Sequence, residues 1–222
     1  MDLPLLRYSD DAGGAWIVQY GVVASRGQAN WGGGSLYSGD TADELSVEYD
    51  QAAHGGVIGV CVDVLANPLD PFSSTDDSTV TVRKVSGDAT LLVNKTEDEV
   101  LAGQNLAFVG TAGRWEGVGY KTVTDNGDGS YTLSGFTVRG WHGTEVFAPL
   151  HQAGDLFVLV SREWIEPVSH PSADLNRTKF YKAVGFGQSP AAAVAASHVL
   201  RGAAETPYAP VNLNAALAPR TG

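Results

Sequence analysis

The chain has 222 residues, which is enough for one large domain or two small ones with a buried core. Hydrophobic residues make up 43% of it and charged residues 18%, a composition typical of globular and not of disordered proteins. The net charge of −11 repels nucleic-acid phosphates, and Arg83-Lys84 is the only adjacent basic pair. We therefore expect no nucleic-acid partner.

The sequence also argues against a membrane segment and a disulfide framework. The start, Met1–Pro4, lacks the apolar segment of a secretory leader, and no run reaches the ~20 apolar residues that a bilayer-spanning helix needs. We therefore expect a protein made in the cytoplasm with no membrane segment. The single cysteine, Cys61, lies in an apolar run, and we expect it to pack as a small hydrophobic residue and not to act as a reactive thiol.

In the first half of the chain, alternating and β-branched segments predict short strands. These strands are Ala15–Val23, Ser35–Ser38, Leu45–Tyr49, Val57–Leu65 and Thr79–Val85. The strand that starts at Val57 is apolar almost throughout, which is typical of a strand covered on both faces. The alternation slips at Arg83-Lys84, and such a slip predicts a β-bulge.

A polar stretch, Asn67–Ser78, contains two prolines that cannot continue a strand ladder. We place a boundary between two lobes there or just before the Val57 strand. The predicted organisation is an N-terminal β lobe at 1–56, a main β domain at 57–205 and an extended C-terminal tail at 206–222.

The second half begins with an acidic segment, Thr96–Leu101, that predicts one short helical turn. Residues 103–160 then alternate like a β-meander. The strongest local signal is Asp125–Ser130 (DNGDGS), because Asn-Gly and Asp-Gly tolerate the positive φ angles of a tight hairpin turn. It separates two predicted strands, Trp115–Thr124 and Ser130–Thr137.

Further strands are predicted at Asp155–Val160, Trp164–Val168 and Lys179–Gly185. Pro190–Leu200 is the only convincing helix candidate, with Pro at its start and Gly202 just past its end. Together these elements predict an all-β fold of antiparallel β-sandwich or barrel-like lobes, with at most one short helix near the C-terminus.

Two acidic segments are candidates for a calcium site and a glycosidase site, but the sequence pattern favours neither. Asp125–Ser130 resembles a calcium loop, but Phe136 stands where an EF-hand has its closing Glu, so a hairpin turn is the better interpretation. Glu97, Asp98 and Glu99 are consecutive, whereas glycosidase acids lie on separate elements across a cleft. We interpret these three acids as a solvated surface.

Histidines and tryptophans are the remaining candidates for chemistry. The histidines are His54, His142, His151, His170 and His198, and the tryptophans are Trp16, Trp31, Trp115, Trp141 and Trp164. No histidine has metal-ligand spacing, so we expect structural hydrogen bonds to loop backbone. Tryptophans in strands are usually core residues, but Trp31 and Trp141 lie beside glycines in loops and could stack on sugars. The sequence thus predicts no catalytic, cofactor-binding or metal-ligating residue.

Several segments, in order along nearly the whole chain, resemble one protein family. They are Leu3–Arg7, Asp10–Gly14, Trp31–Ser38, Leu101–Gly110 (LAGQNLAFVG), Tyr131–Glu145 (YTLSGFTVRGWHGTE), His151–Leu159 (HQAGDLFVL) and Pro207–Leu213. The family is the large tail-tip protein of gene transfer agents and related siphophages, known as the host-specificity or baseplate hub protein. Two departures are Phe136-Thr137-Val138, one residue longer than the family's Leu-Leu, and Trp141-His142 in place of a basic pair.

The resemblance implies a non-enzymatic component of a phage or gene-transfer-agent tail tip, located in the virion and contributing to tail-tip assembly and host recognition. It implies a homotrimer, with other tail-tip or baseplate proteins, tail fibres or hub subunits as partners and a host surface glycan as a further candidate. Family members are far longer, so this chain looks like the C-terminal part of a hub. Within it, we expect Arg139 and Glu145 to fix their turn by a charge-assisted bond.

Two other classes stay open at the level of the sequence. One is a carbohydrate- or receptor-binding β-module, for which Trp31 and Trp141 are the residues to test. The other is a subunit of a cell-wall hydrolase, against which the lack of a recognisable nucleophile or paired acids counts.

Overall fold

In the computed structural model, the described residues are 16–21, 33–52, 56–68, 70, 76–141, 143–160 and 166–199. At residues 16–21, 48–52, 166–170 and 172 the structure describes the backbone alone. Several predictions lie outside these ranges: the tail at 206–222, Trp31, Trp164, His54, His142 and the family-like segments Leu3–Arg7, Asp10–Gly14 and Pro207–Leu213.

The described residues form twelve strands and one α-helix. The strands are β1 (Trp16–Gly21), β2 (Gly34–Gly39), β3 (Ser46–Ala52), β4 (Ile58–Cys61), β5 (Asp76–Ser86), β6 (Leu106–Thr111), β7 (Arg114–Asp125), β8 (Ser130–Val138), β9 (Leu156–Leu159), β10 (Glu166–Pro171), β11 (Thr178–Gly185) and β12 (Ala196–Val199). The helix is α1 (Glu97–Leu101), and short 3-10 turns lie at Ala89–Leu91, Glu145–Leu150, Ser172–Asp174 and Pro190–Ala192. Among these residues, no helix has the length and apolar character to cross a membrane.

Six strands close into an antiparallel barrel in the order β4-β5-β8-β7-β6-β9. Alternate side chains of each strand point inward. They form a core that includes Val80 and Val82 of β5, Tyr120 of β7, Phe136 of β8 and Phe157 of β9. Cys61 belongs to this core, as expected for a small hydrophobic residue. The predicted all-β class with a barrel-like lobe is confirmed.

Two smaller sheets use strands from both ends of the chain. The first is a four-stranded sheet in the order β12-β11-β2-β3, and the second pairs β1 with β10. Strand pairing therefore connects the predicted lobe at 1–56 with residues 166–199. The predicted boundaries at 56 and 205 stay predictions.

The local turn chemistry follows the sequence closely. The β7–β8 hairpin turns at Asp125–Ser130 with Gly127 at φ +78° and Gly129 at φ +81°, as predicted for the DNGDGS segment. The pairing of β4 with β5 skips one residue between Lys84 and Ser86, next to the predicted bulge. The short helical turn is α1, whose Thr96 hydroxyl accepts from the backbone N–H of Glu99 while the Glu99 carboxylate accepts from that of Thr96.

Two predicted elements are wrong in part. The helix expected at Pro190–Leu200 is a single 3-10 turn followed by β12, which pairs with β11. Alanines favour a helix locally, but a strand already open at its edge gives residues 196–199 partners for their backbone groups. The strand expected at Val57–Leu65 ends at Cys61, and beyond it the side chains of Val62 and Val64 are about half exposed.

Candidate functional site

One glutamate lies where the fold should place an apolar side chain. In β7, alternation puts Glu116 on the same inward face as Val118 and Tyr120, and Glu116 is 0% exposed. A buried carboxylate is costly unless other groups neutralise it and donate hydrogen bonds to it. The surroundings of Glu116 therefore define the most unusual chemistry among the described residues.

Arg139, just after β8, supplies the first set of donors to Glu116. Its Nε lies 2.9 Å from Oε1 and its Nη2 lies 3.1 Å from Oε2 of Glu116, which is a bidentate pair. Arg139 also donates from Nη1 to the carboxylate of Asp76, and from Nη2 to the Ala66 carbonyl at 3.0 Å. Its guanidinium lies 5.6 Å from the centre of the Phe136 ring, directly on the barrel core.

His151 extends the chain of contacts to a second ion pair. Its Nε2 lies 2.5 Å from Oε2 of Glu116, and its Nδ1 lies 3.4 Å from Oδ2 of Asp155. Asp155 in turn accepts two hydrogen bonds from Arg114, at 2.8 and 2.5 Å. Arg114 also donates to the Leu150 carbonyl at 2.8 Å.

We call these six side chains the charge network: Asp76, Arg114, Glu116, Arg139, His151 and Asp155. It contains three carboxylates, two guanidiniums and one imidazole, so its charges sum to zero when the imidazole carries a proton. The network is therefore close to balanced in charge.

The position of the charge network follows from the strand directions. In an antiparallel barrel, the ends of β4, β6 and β8 and the starts of β5, β7 and β9 meet at one rim. Each network residue lies at such a position or in the connection beside it: Asp76 at the start of β5, Arg114 and Glu116 at the start of β7, Arg139 after β8, and His151 and Asp155 before β9. The network thus closes one end of the barrel.

The connection from β8 to β9 is held to this rim by further bonds. The backbone N–H of Gly140 donates to Oε1 of Glu116 at 3.0 Å. The Thr144 hydroxyl accepts from the Gly117 N–H at 2.8 Å and donates to the Trp141 carbonyl at 2.7 Å. Gly140 has φ +65°, and a Cβ there would lie 2.6 Å from the Cα of Glu145, so only glycine fits without displacing the turn.

Electrostatics favours the ionised carboxylates despite their burial. For Glu116, burial raises the pKa, but hydrogen bonds from His151 and Arg139 outweigh it and leave the pKa below its ordinary value. For Asp155, burial is likewise outweighed by donation from Arg114 and the Gln152 backbone, and its pKa is lowered. The pKa of Asp76 is also lowered, since bonds from Ser78 and Arg139 overcome its burial.

These contacts decide what the network can do chemically. Both oxygens of Glu116 are occupied by four donors from the protein, and the side chain has no exposed surface. A carboxylate saturated in this way is held in place and is not open to a substrate. Among the described residues, no group of three or more His, Cys, Asp or Glu could hold a metal ion. We interpret the charge network as a clamp on the β8–β9 connection.

The predicted bond between Arg139 and Glu145 is wrong. Arg139 does form charge-assisted bonds, but its donors point to Glu116, Asp76 and Ala66, because the side chain turns inward and is only 1% exposed. His151 was expected to bond to loop backbone and instead bonds to two carboxylates. The signal for Glu116 was present in the sequence as an acid on the apolar face of a predicted strand, but Glu116 was not among the predicted candidate residues.

The other candidate residues are distributed over the fold. Glu97 and Glu99 serve α1, where Glu97 pairs with Lys121 at 3.4 Å and Glu99 completes the helix cap. Trp115 is buried against the outside of the barrel, and Trp141 is half-buried with its ring 6.1 Å from that of Phe108. His198 lies in β12, and the side chains of Trp16 and His170 are outside the description.

Comparison with known proteins relates this barrel to one protein family. Residues 56–158 match the family model described as Rcc01698-like, C-terminal. The match starts just before β4 and ends within β9, so it coincides with the barrel and includes the whole charge network. It covers a little under half of the chain and relates this part to a family associated with gene transfer agents. No curated protein matched the chain.

Proposed function

We propose that the protein is a non-enzymatic structural component of the tail tip, or baseplate hub, of a gene transfer agent or siphophage-type particle. In this role it contributes to tail-tip assembly and host recognition and resides in the virion. The observation that carries the proposal is the match of residues 56–158 to the Rcc01698-like C-terminal family, which coincides with the closed barrel.

A second observation supports the same proposal. Two of the segments that resemble the tail-tip family, Tyr131–Glu145 and His151–Leu159, contain Arg139, His151 and Asp155 of the charge network. Part of the resemblance therefore rests on residues whose buried bonds hold the barrel rim together. A rim fixed by buried ion pairs suits a part that must keep one shape within an assembly.

The proposal includes symmetric association and named kinds of partner. We propose a homotrimer that contacts other tail-tip proteins, as the resemblance to the tail-tip family implies. Such closed symmetry repeats one interface without open-ended growth. Light scattering of the purified chain would give the mass of a trimer of 23.2 kDa subunits if this is correct. A monomer at all concentrations, alone and with hub proteins, would contradict the trimer without touching the fold.

Deletion of the gene in a particle-producing host is the experiment that tests the proposed function. We expect heads and tail tubes to form while complete tail tips are lost, and the protein to sediment with intact particles from the parent strain. A complementing copy with Arg83→Ala, an exposed arginine, should restore particles and serves as the control. Normal, infective particles in the deletion strain would refute the proposal.

A further inference from the structure

A groove on the barrel lies next to α1, and none of the carboxylates of the charge network lines it. Its volume is about 790 Å³, within the range of sites that bind small molecules. Its lining combines apolar side chains of α1 and of strands β6, β8 and β9 with the half-buried ring of Trp141 and the exposed amide of Gln104. No function described above uses this groove.

The fold holds Trp141 in a fixed position in the wall of the groove. The Trp141 backbone N–H donates to the Gly117 carbonyl at 2.9 Å, and its own carbonyl accepts from the Thr144 hydroxyl at 2.7 Å. Gly117 leaves room for it, since a Cβ at that position would lie 2.8 Å from the Cβ of Trp141. The ring packs on Phe108 at 6.1 Å between centroids. An aromatic surface held this firmly costs little entropy when a ligand stacks on it.

Charge restricts the class of ligand. Although the chain has 25 acidic residues, none of the described residues that line the groove is acidic. The one cation in the lining, Lys95, lies 3.5 Å from the carboxylate of Glu99, which offsets its charge. The groove is thus nearly neutral, which disfavours phosphates and strongly charged peptides.

Backbone pairing of the barrel strands restricts the class of ligand further. Every barrel strand beside the groove has partners on both sides, because β6 pairs with β7 and β9, and β8 with β5 and β7. An extended peptide therefore finds no strand edge to extend at the barrel wall. A compact, uncharged ligand with one apolar face and several hydroxyl groups fits a lining that combines an aromatic ring with an amide.

We propose that this groove binds an uncharged sugar residue of an oligosaccharide, which stacks on Trp141 and accepts or donates hydrogen bonds at Gln104. The inference rests on the proposed function for its biological meaning, a host glycan contacted by a tail tip. The binding itself is a property of the purified chain, so its test is separate from the particle experiments.

Saturation-transfer NMR and titration calorimetry with neutral tetrasaccharides built from glucose, N-acetylglucosamine or mannose test the inference, with a sulfated tetrasaccharide as the charged comparison. We expect binding of at least one neutral sugar. Gln104→Ala should weaken it roughly two- to tenfold through loss of a hydrogen bond. Trp141→Phe should weaken it further, because the ring is smaller, and Trp141→Ala should abolish it.

Control substitutions distinguish loss of sugar binding from loss of the folded structure. Phe186→Ala, at a residue that is 85% exposed in the turn after β11, should leave sugar binding unchanged. If Trp141→Ala fails to fold, Gln104→Ala and Trp141→Phe still decide the matter, since Gln104 is exposed. Three results would overturn the inference. They are no binding of any neutral sugar at about 10 mM, binding of the sulfated sugar alone, and sugar binding that neither Gln104→Ala nor Trp141→Phe weakens. If no sugar binds but deletion of the gene still removes the tail tips, the binding inference fails and the proposed structural role stands.

Discussion

Arg139→Ala is the perturbation that most directly probes the charge network. It removes both charge-assisted bonds to Glu116, the bond to Asp76 and the bond to the Ala66 carbonyl. Glu116 is 0% exposed, so its carboxylate depends on donors from the protein. The variant therefore leaves a buried carboxylate with only His151 and the Gly140 N–H as partners.

The size of the effect follows from this uncompensated charge. Removing one partner of a buried ion pair costs about 3–5 kcal/mol, because the remaining charge stays desolvated. For a chain of this length each kcal/mol lowers the Tm by about 2–4 °C, so we expect a drop of roughly 6–20 °C. Adding Glu116→Gln to Arg139→Ala should recover part of the loss, since it removes the buried charge.

Thermal and urea unfolding, followed by circular dichroism, measure these differences. The matched control is Arg83→Ala, because Arg83 is 55% exposed and only pairs with Asp128 on the surface at 3.6 Å. That control should change the free energy of unfolding by about 0.5 kcal/mol or less. An Arg139→Ala variant no less stable than Arg83→Ala would refute the clamp, and so would a double variant less stable than Arg139→Ala alone.

Three further outcomes are expected. The network carboxylates Asp76, Glu116 and Asp155 have lowered pKa values in the folded protein. Their contribution to stability is therefore complete above about pH 4.5 and is lost as the pH falls through the lowered pKa values. Urea midpoints that stay unchanged from pH 6 to pH 2.5 would contradict this. Burial raises the pKa of the Cys61 thiol to about 12, so a thiol reagent at pH 8 should label the unfolded chain quickly and the folded one hardly at all. Gly140→Ala should destabilise the protein by roughly 2 kcal/mol or more. Gly103→Ala should cost about 1 kcal/mol, because Gly103 also has a positive φ but nothing lies within 4 Å of the new Cβ. Equal losses of stability would show that the close packing at Gly140 is unimportant.

Elements that depend on neighbouring residues could be predicted from the sequence. The Asp125–Ser130 turn depends on glycines that adopt positive φ, and α1 depends on the pair of Thr96 and Glu99 three positions apart. The helix expected at Pro190–Leu200 was wrong because residues 196–199 pair with β11, and the local sequence does not indicate which segments pair with each other. Local chemistry thus predicted turns and caps better than it predicted strand pairing.

The charge network could not be predicted in this way. Arg139 is 63 positions from Asp76 and 23 from Glu116, and these groups meet only after the barrel closes. Arg139 was expected to bond to Glu145, six residues away, because a short turn is the only geometry that the sequence offers by itself. The acid at Glu116 on the inward face of β7 was the one local signal, and it indicates a buried partner without identifying it.

Gold labelling of an epitope-tagged copy in purified particles, viewed by electron microscopy, tests the central claim most directly. The tag belongs on the exposed turn after β11, where Phe186 is 85% exposed, so that the barrel stays intact. We expect label confined to the distal end of the tail, at several copies per particle. Label on the head or along the tube, or protein that stays in the soluble fraction while particles carry none, would contradict it.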